Sequence, residues 1–263
     1  MSPADEGGAV VKSARTLFDV VEGLEALEEA GVSELADHLD LAVSTVHDHV
    51  TTLVELGYVQ KADERYRLGL SFLGLGESAR YNLDAYPLVE PYLEKVADET
   101  GESAWFVVEE DGLAVYVAKA RGEVGVETAN RIGRRSRMHY HAGGKAILAH
   151  LPRARVEAIV DRHGLPGLTE NTITDLGALF DELEAIREAG FAQNDNEEIV
   201  GTRSVAAPIL VDDRVLGAIS VGGPANRLKG ERFDREFPDL VSGVTNEIEL
   251  KIQYSDPAWS DVD

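Results

Sequence analysis

Two groups of side chains in this sequence have types and spacing that could do chemistry. Ser44, Thr45, His47, Asp48, His49, Thr51 and Thr52 crowd one short stretch, and each is short or hydrogen-bonding. Such groups suit phosphate oxygens and base edges, since Ser and Thr bond either. The second group is His139, His141, Gly143, Gly144 and His150. Histidines at i, i+2 share a face on a strand and can converge on a metal ion. No third ligand is fixed by spacing, and such pairs serve equally as core or surface residues. Gly143-Gly144 opens an apolar run, and a glycine pair at a helix start exposes backbone N–H groups that hold anions. No nucleophile stands beside a fixed base: there is no Cys and no Gly-x-Ser-x-Gly. A non-catalytic role is expected. The alternative, a small-molecule-binding metal-dependent enzyme or a sensor that does not touch DNA, stays open.

The first group must be held by local structure, and residues 33–68 supply it. Leu35, Ala36 and Leu39 form one apolar run, and Val46, Val50, Leu53 and Leu56 form another at helical spacing. Asp40-Leu41-Ala42-Val43 between them allows only a tight turn. Ser44 is placed as N-cap of the second helix and Gly57 as its stop. Tyr58–Lys61 and Tyr66–Leu68 read as strands around the polar turn Ala62–Arg65. Helix, turn, helix and hairpin is the layout of a winged helix-turn-helix, whose second helix enters the major groove. A preceding helix from Ser13, its proposed cap, would present Ala14, Leu17, Phe18, Val21, Leu24 and Leu27 and stop before Gly31. Lys12 and Arg15 at its start could touch phosphate, as could Ser33, Lys61, Arg65 and Arg67.

The charge balance works against DNA at first sight. There are 48 acidic and 25 basic residues, net -23. Residues 1–83 carry 15 acids against 6 bases, so the acidity is global and not a tail. Phosphate binding needs cations. An even acidic spread with scarce lysine fits a halophile's surface, hydrated by carboxylates in molar salt, where screening makes repulsion from DNA short-ranged. The absence of Cys excludes disulfides and thiolate sites. With no apolar signal region and no apolar run near the roughly 18 residues of a membrane span, a cytoplasmic protein without a membrane partner is expected.

Beyond the wing, Leu70, Phe72, Leu73, Leu75 and Ala79 are placed on a connecting helix within 69–84. A helix over Tyr86–Thr100 ends at Gly101. Ser103–Glu109 and Leu113–Ala120 flank an Asp-Gly hairpin signal. Arg121, Arg131, Arg134, Arg135 and Arg137 form the basic cluster of the chain, read as a loop balancing neighbouring carboxylates in preference to a DNA contact. Helices follow over Ala154–His163 and Asp175–Ala189, then strands over Phe191–Asp195, Arg203–Val211 and Val215–Gly222, then an amphipathic helix within 231–252. Strands grouped between helices predict an α+β domain. The expected organisation is a flexible tail 1–11, a DNA-binding domain 12–68, a linker helix 69–84, an effector domain 85–255 and an acidic tail 256–263.

Taken together these stretches resemble the IclR family of transcription regulators, over about 12–252. The resemblance rests on Ser44-Thr-Val-His, Leu53-Val-Glu-Leu-Gly-Tyr-Val, Tyr66-Arg-Leu-Gly69, His139-Tyr-His-Ala-Gly-Gly-Lys-Ala146, Leu168–Thr174, Ile186–Ala192, Gly201–Pro208 and Ser220–Leu228. It implies a GAF-like C-terminal effector domain, near-palindromic operators, homodimers or homotetramers, and a small-molecule effector, here a carboxylate or catabolic intermediate, with no cofactor. It also implies an effector pocket at Ala142, Gly143, Gly144, Asn194, Ser204, Ser220 and Gly222. Relatives often carry Asp at 194, Cys at 204 and a second Ser at 222, so this pocket would suit a larger or differently shaped acid. Asp48 stands where relatives often have Arg. It would accept from a cytosine edge or belong to the acidic surface.

Overall fold

The computed structural model describes residues 11–126 and 130–254. Of the expected tail 1–11 only Val11 is among them, and the acidic tail 256–263 lies outside. The chain divides into two compact units, with the cut between Arg80 and Tyr81.

The first unit contains α1 (Lys12–Leu27), α2 (Val32–Leu39), α3 (Val43–Glu55), β1 (Val59–Ala62), β2 (Arg65–Leu68) and most of α4 (Ser71–Tyr81). Val20, Leu24, Leu35, Ala36, Val46, Val50, Leu53 and Val59 make its core. The α2–α3 turn is tight because Asp40 adopts a left-handed conformation, φ 53°, after which the Leu41 N–H reaches the Ala36 carbonyl at 3.0 Å. Ala30 bridges Tyr66 and adds a third short stretch to the wing.

Both expected serine caps are corrected. The first and third helices start two residues earlier than their serines require, with Val11 and Ala42 at the N-cap and no side chain bonded there. Ser44 therefore lies within the first turn of α3, its hydroxyl exposed. The end of α3 was readable: Leu56 is its last half-helical residue and Gly57 follows at φ +80°. Leu56 is 62% exposed, because Val46, Val50 and Leu53 already complete the buried face. None of α4 is buried, and Leu73 and Leu75 are 64% and 56% exposed.

The second unit is built on a six-stranded antiparallel sheet in the order β5-β4-β3-β8-β7-β6. The strands are β3 (Ser103–Glu110), β4 (Leu113–Arg121), β5 (Arg135–Arg137), β6 (Ala192–Asp195), β7 (Thr202–Val211) and β8 (Arg214–Pro224). The β3–β4 turn has both central residues at positive φ, Asp111 at 55° and Gly112 at 81°, which matches the strand twist. Asp212 and Asp213 do the same between β7 and β8.

Side chains alternate across the sheet. Ala104, Phe106, Val205, Ile219 and Val221 pack on one face against α5 (Tyr86–Thr100) and α9 (Phe237–Tyr254). A π turn at Arg232–Glu236 leads into α9. Trp105, Val107, Ala206 and Ala218 pack on the other face against α6 (Ala142–Leu148), α7 (Arg153–His163) and α8 (Leu176–Ala189). Asp175 caps α8 by accepting from the Ala178 N–H, and Gly190 ends it at φ +80°. The fold class is α+β, as expected.

Candidate DNA-reading helix and effector cavity

On α3, Val46, Val50 and Leu53 face the core, so the residues between them face outward. Ser44, His47, Asp48 and Thr51 are exposed, and Thr45 and His49 are half-buried. The Thr52 hydroxyl is turned back onto the Asp48 carbonyl at 2.9 Å. His47 Nδ1 lies 3.7 Å from the Asp48 carboxylate, which would orient the ring and oppose a phosphate at that spot.

The cations around this helix are unevenly available. Lys12 and Arg15 stand exposed on the first turn of α1, and Ser33 is exposed on α2. The wing cations already face partners. Lys61 lies 3.2 Å from Glu64, and Arg65 lies 3.0 Å from Glu29 and 3.2 Å from Glu34. Arg67 donates to Gln60 at 3.1 Å.

In the second unit a cavity of about 130 Å3 opens on the face of the sheet that carries α6. Strand register builds its floor. Ser103 pairs with Gly222, Gly222 with Ser204, and Ser204 with Asn194, so one row crosses β3, β8, β7 and β6. The next row runs Trp105, Ser220, Ala206, Ala192. Four of the expected pocket residues, Asn194, Ser204, Ser220 and Gly222, therefore sit together on the cavity wall. A Cβ on Gly222 would come within 3.1 Å of the Ser204 Cβ, so the glycine leaves the middle of the first row open.

The other three lie elsewhere. Ala142, Gly143 and Gly144 are buried but are not on the wall. The Gly144 N–H already donates to His141 Nδ1 at 3.0 Å, so the histidine caps α6 in place of any anion. A Cβ on Gly144 would come within 2.2 Å of the Met138 carbonyl oxygen, and one on Gly143 within 3.3 Å of Val107. Close packing explains this glycine pair.

The histidines are also placed differently from a two-residue strand step. His139 lies in a 3-10 turn, Met138–Tyr140, and His141 is the extended residue after it. His139 Nε2 donates to the Pro166 carbonyl at 3.1 Å. Because His141 Nδ1 accepts, its proton sits on Nε2, 3.1 Å from the Ser136 hydroxyl. His150 Nδ1 donates to the Ala146 carbonyl at 3.0 Å. Burial lowers the pKa of His139 and takes that of His141 down to about 3, so both rings are neutral near pH 7.

Sequence reading missed much of the wall: Ser103, Trp105, Tyr116, Glu198 and Arg203 all line it. The alternation Ser103, Trp105, Val107 was the available signal, since residues two apart on a strand share a face. Trp105 and Tyr116 meet edge to face with centroids 5.2 Å apart. The Ser103 hydroxyl is buried with no hydrogen-bond partner among the described residues. Asn194 is fixed at both ends, donating to the Tyr140 carbonyl at 2.7 Å and accepting from the Glu197 N–H at 3.1 Å. Arg203 is held by both carboxylate oxygens of Asp195, at 2.7 and 2.8 Å. Lys145, 1% exposed, bridges Glu182 at 2.8 Å and Glu197 at 2.7 Å. The basic cluster of 121–137 meets acids or carbonyls through Arg121 to the Gly125 carbonyl, Arg134–Glu198, Arg135–Glu110 and Arg137 to the His163 carbonyl.

A helix-turn-helix joined to an α+β unit with a cavity on its sheet defines a class of ligand-responsive DNA-binding regulators. The chain belongs to the IclR family of transcriptional regulators: the IclR helix-turn-helix domain matches residues 14–63 and the bacterial transcriptional regulator IclR C-terminal domain residues 79–248. It is 33% identical to the probable HTH-type transcriptional regulator ArcR of Halobacterium salinarum, over 96% of this chain and 99% of that one. The crystal structure of Thermotoga maritima IclR superposes with a TM-score of 0.77 at 28% identity, covering 92% of this chain and all of that one. An IclR homologue from Microbacterium hydrocarbonoxydans, solved with 4-hydroxybenzoate, shares the fold at TM-score 0.77 and 21% identity, covering 90% of this chain and 99% of that one. The protein is a DNA-binding transcriptional regulator with a C-terminal effector-binding domain.

Proposed function

We propose that α3 reads an operator through Ser44, Thr45, His47, Asp48, His49 and Thr51. Lys12, Arg15, Ser33 and the wing residues Lys61, Arg65 and Arg67 would meet the phosphates. The observation that carries this reading is the division of α3 into a buried apolar face and an outward face of hydrogen-bonding side chains. The operator is near-palindromic, because two copies of the chain bind it together as a dimer or as half of a tetramer. Support for an oligomer comes from exposed apolar side chains in the first unit, Phe18 at 60%, Leu70 at 74% and Leu73 at 64%. The working boundaries are 12–68 for DNA binding, 69–84 for the linker and 85–255 for effector binding. The protein acts in the cytoplasm of a salt-adapted organism and is not an enzyme: its cavity joins aromatic walls to hydroxyls, and His141 meets the Ser136 hydroxyl with its protonated Nε2, which cannot act as a base there.

The effector is a small carboxylic acid. The cavity approaches the roughly 150 Å3 that holds a benzene ring, and the 4-hydroxybenzoate complex of a distant relative fits that size. The test is fluorescence anisotropy on the chain's own upstream DNA in molar potassium chloride, with benzoate and 4-hydroxybenzoate added. Saturable, sequence-dependent binding that shifts with the acids is the expected result. Binding that is insensitive to sequence, or unchanged by His47→Ala and Thr51→Ala, would overturn the reading of α3.

A further inference from the structure

The cavity has no free cation on its wall among the described residues, yet a carboxylate effector calls for one. Arg203 is committed to Asp195. The other nearby guanidinium is that of Arg134. Its backbone is pinned beside the cavity, its carbonyl accepting from the Tyr116 N–H at 3.1 Å, and its guanidinium lies 5.8 Å from the Tyr116 ring centroid. Arg134 itself is not on the wall. Glu198 is, and its carboxylate accepts from Arg134 Nη2 at 3.0 Å. Arg134 Nη1 is buried with no hydrogen-bond partner among the described residues.

We propose that Glu198 is an internal placeholder for the effector's carboxylate: an anionic ligand displaces it, takes both guanidinium nitrogens of Arg134, and rests its body on Trp105 and Tyr116. This deepens the effector reading above and rests on it. The exchange swaps one carboxylate for another on the same cation. The incoming one can satisfy the nitrogen that Glu198 leaves bare, and Arg–carboxylate pairs favour that two-pronged geometry.

The surroundings allow the swap. Glu197, the preceding residue, is a fixed point: it receives Lys145 at 2.7 Å and its carbonyl accepts from Thr172 at 2.6 Å. Past Glu198 the backbone is held as well, Gly201 N–H donating to Asn196 Oδ1 at 2.6 Å and the Thr202 hydroxyl to the Ile199 carbonyl at 2.7 Å, while Ile199 and Val200 are 43% and 75% exposed, so only the Glu198 side chain need move. Glu198 can therefore turn outward without unseating the sheet. Its side chain is only 10% exposed and burial raises its pKa, so release to water relieves it. Neutral ligands of the same shape gain nothing from Arg134 and would leave Glu198 in place.

The test uses the full chain carrying Trp259→Phe, so that Trp105 reports the cavity alone. Potassium benzoate and benzamide are titrated at constant ionic strength against potassium chloride. Glu198→Gln keeps the size and one acceptor but removes the charge, and should tighten benzoate by about tenfold while leaving benzamide within about twofold. Arg134→Gln should weaken benzoate by about tenfold or more and spare benzamide. Arg134→Lys, a single point charge, should fall between. Thermal melting of Glu198→Gln should rise with acetate in place of chloride, more than in the parent or in a variant carrying both Glu198→Gln and Arg134→Gln. Benzoate affinity indifferent to both Glu198→Gln and Arg134→Gln would overturn the exchange while leaving the effector reading intact. No anion effect even in Glu198→Gln would overturn it as well. Anion capture that follows this pattern but never alters DNA binding would uphold the exchange and sink the effector role.

Discussion

Both units bury apolar cores, but they differ in where their polar side chains lie. Among the described residues, every buried polar or charged side chain lies at Thr100 or later: Glu102, His139, His141, Lys145, Asn194 and Glu197 are examples. The helix-turn-helix unit buries apolar residues and keeps its hydrogen-bonding groups on the outside of α3. A reader of DNA needs its polar groups in water, ready to exchange solvent for base edges. A receptor for a small acid needs them inside, where hydrogen bonds and charges are selective because an unmet partner is costly. Both units should resent cavities in their apolar cores, but only the second should be strongly destabilised by removing single polar side chains.

The largest effect is expected at Lys145. Its ammonium is buried between Glu182 and Glu197, and a second oxygen of Glu197 already lacks a partner. Lys145→Met strands the Glu197 carboxylate in a buried site, which costs about 3–5 kcal/mol. Urea unfolding followed by Trp105 emission measures it. Adding Glu197→Gln to Lys145→Met should restore a large part of the loss. Equal destabilisation in both variants would mean that packing, not charge, is at stake. The matching change in the first unit is Leu24→Ala, at a fully buried site with no polar neighbour to rescue it, expected to cost about 2–5 kcal/mol.

His141 sharpens the comparison through pH. It is held neutral in the fold, at about 3, against 6.5 in the unfolded chain. Between these values the unfolded state takes up the proton and the folded state does not, so stability falls as pH falls below about 6.5. At pH 5 the deficit from this one ring is about 2 kcal/mol relative to pH 7. His141→Asn retains an acceptor for the Gly144 N–H and removes the titration, so its second unit should lose about that much less between pH 7 and 5. An identical pH slope in the variant would show that the ring is solvated. The glycine it caps provides a further contrast: Gly144→Ala should destabilise strongly against the Met138 backbone, and Gly143→Ala only slightly against the movable Val107.

The legible parts of this molecule are those whose cause is local. Tyr86–Thr100 with its Gly101 stop, the Asp111-Gly112 turn and the amphipathic face of α3 each follow from neighbours within a few residues, and the structure has them at those places. Ser13 and Ser44 misled because a capping residue type is only permission to cap; the backbone entered each helix two residues sooner. The cavity was half legible. Strand β8 pairs with β3 across more than a hundred residues of sequence, so nothing local says that Gly222 faces Ser103. Arg134 and Glu198 lie 64 residues apart, and their partnership follows only from the fold. The glycine pair reads as an anion site at a helix start; nothing local says that Met138 and Val107 pack against it.

The smallest effect on stability is expected on the wing, and it tests whether acidity limits DNA binding. Arg65 is exposed and held by Glu29 and Glu34. Surface pairs of this kind are worth roughly 0–1 kcal/mol, so Glu29→Gln with Glu34→Gln should leave unfolding nearly unchanged. The freed guanidinium can then reach a phosphate. Operator affinity should rise a few-fold at low salt, and the slope of log affinity against log salt should steepen by about 1. Molar salt should erase the gain, because screening already loosens these pairs. An unchanged slope would place Arg65 away from the backbone and leave Lys12 and Arg15 as the cations that matter. The two units would then differ in one more respect: the effector unit's cations act through buried acids, and the DNA unit's act only where no acid holds them.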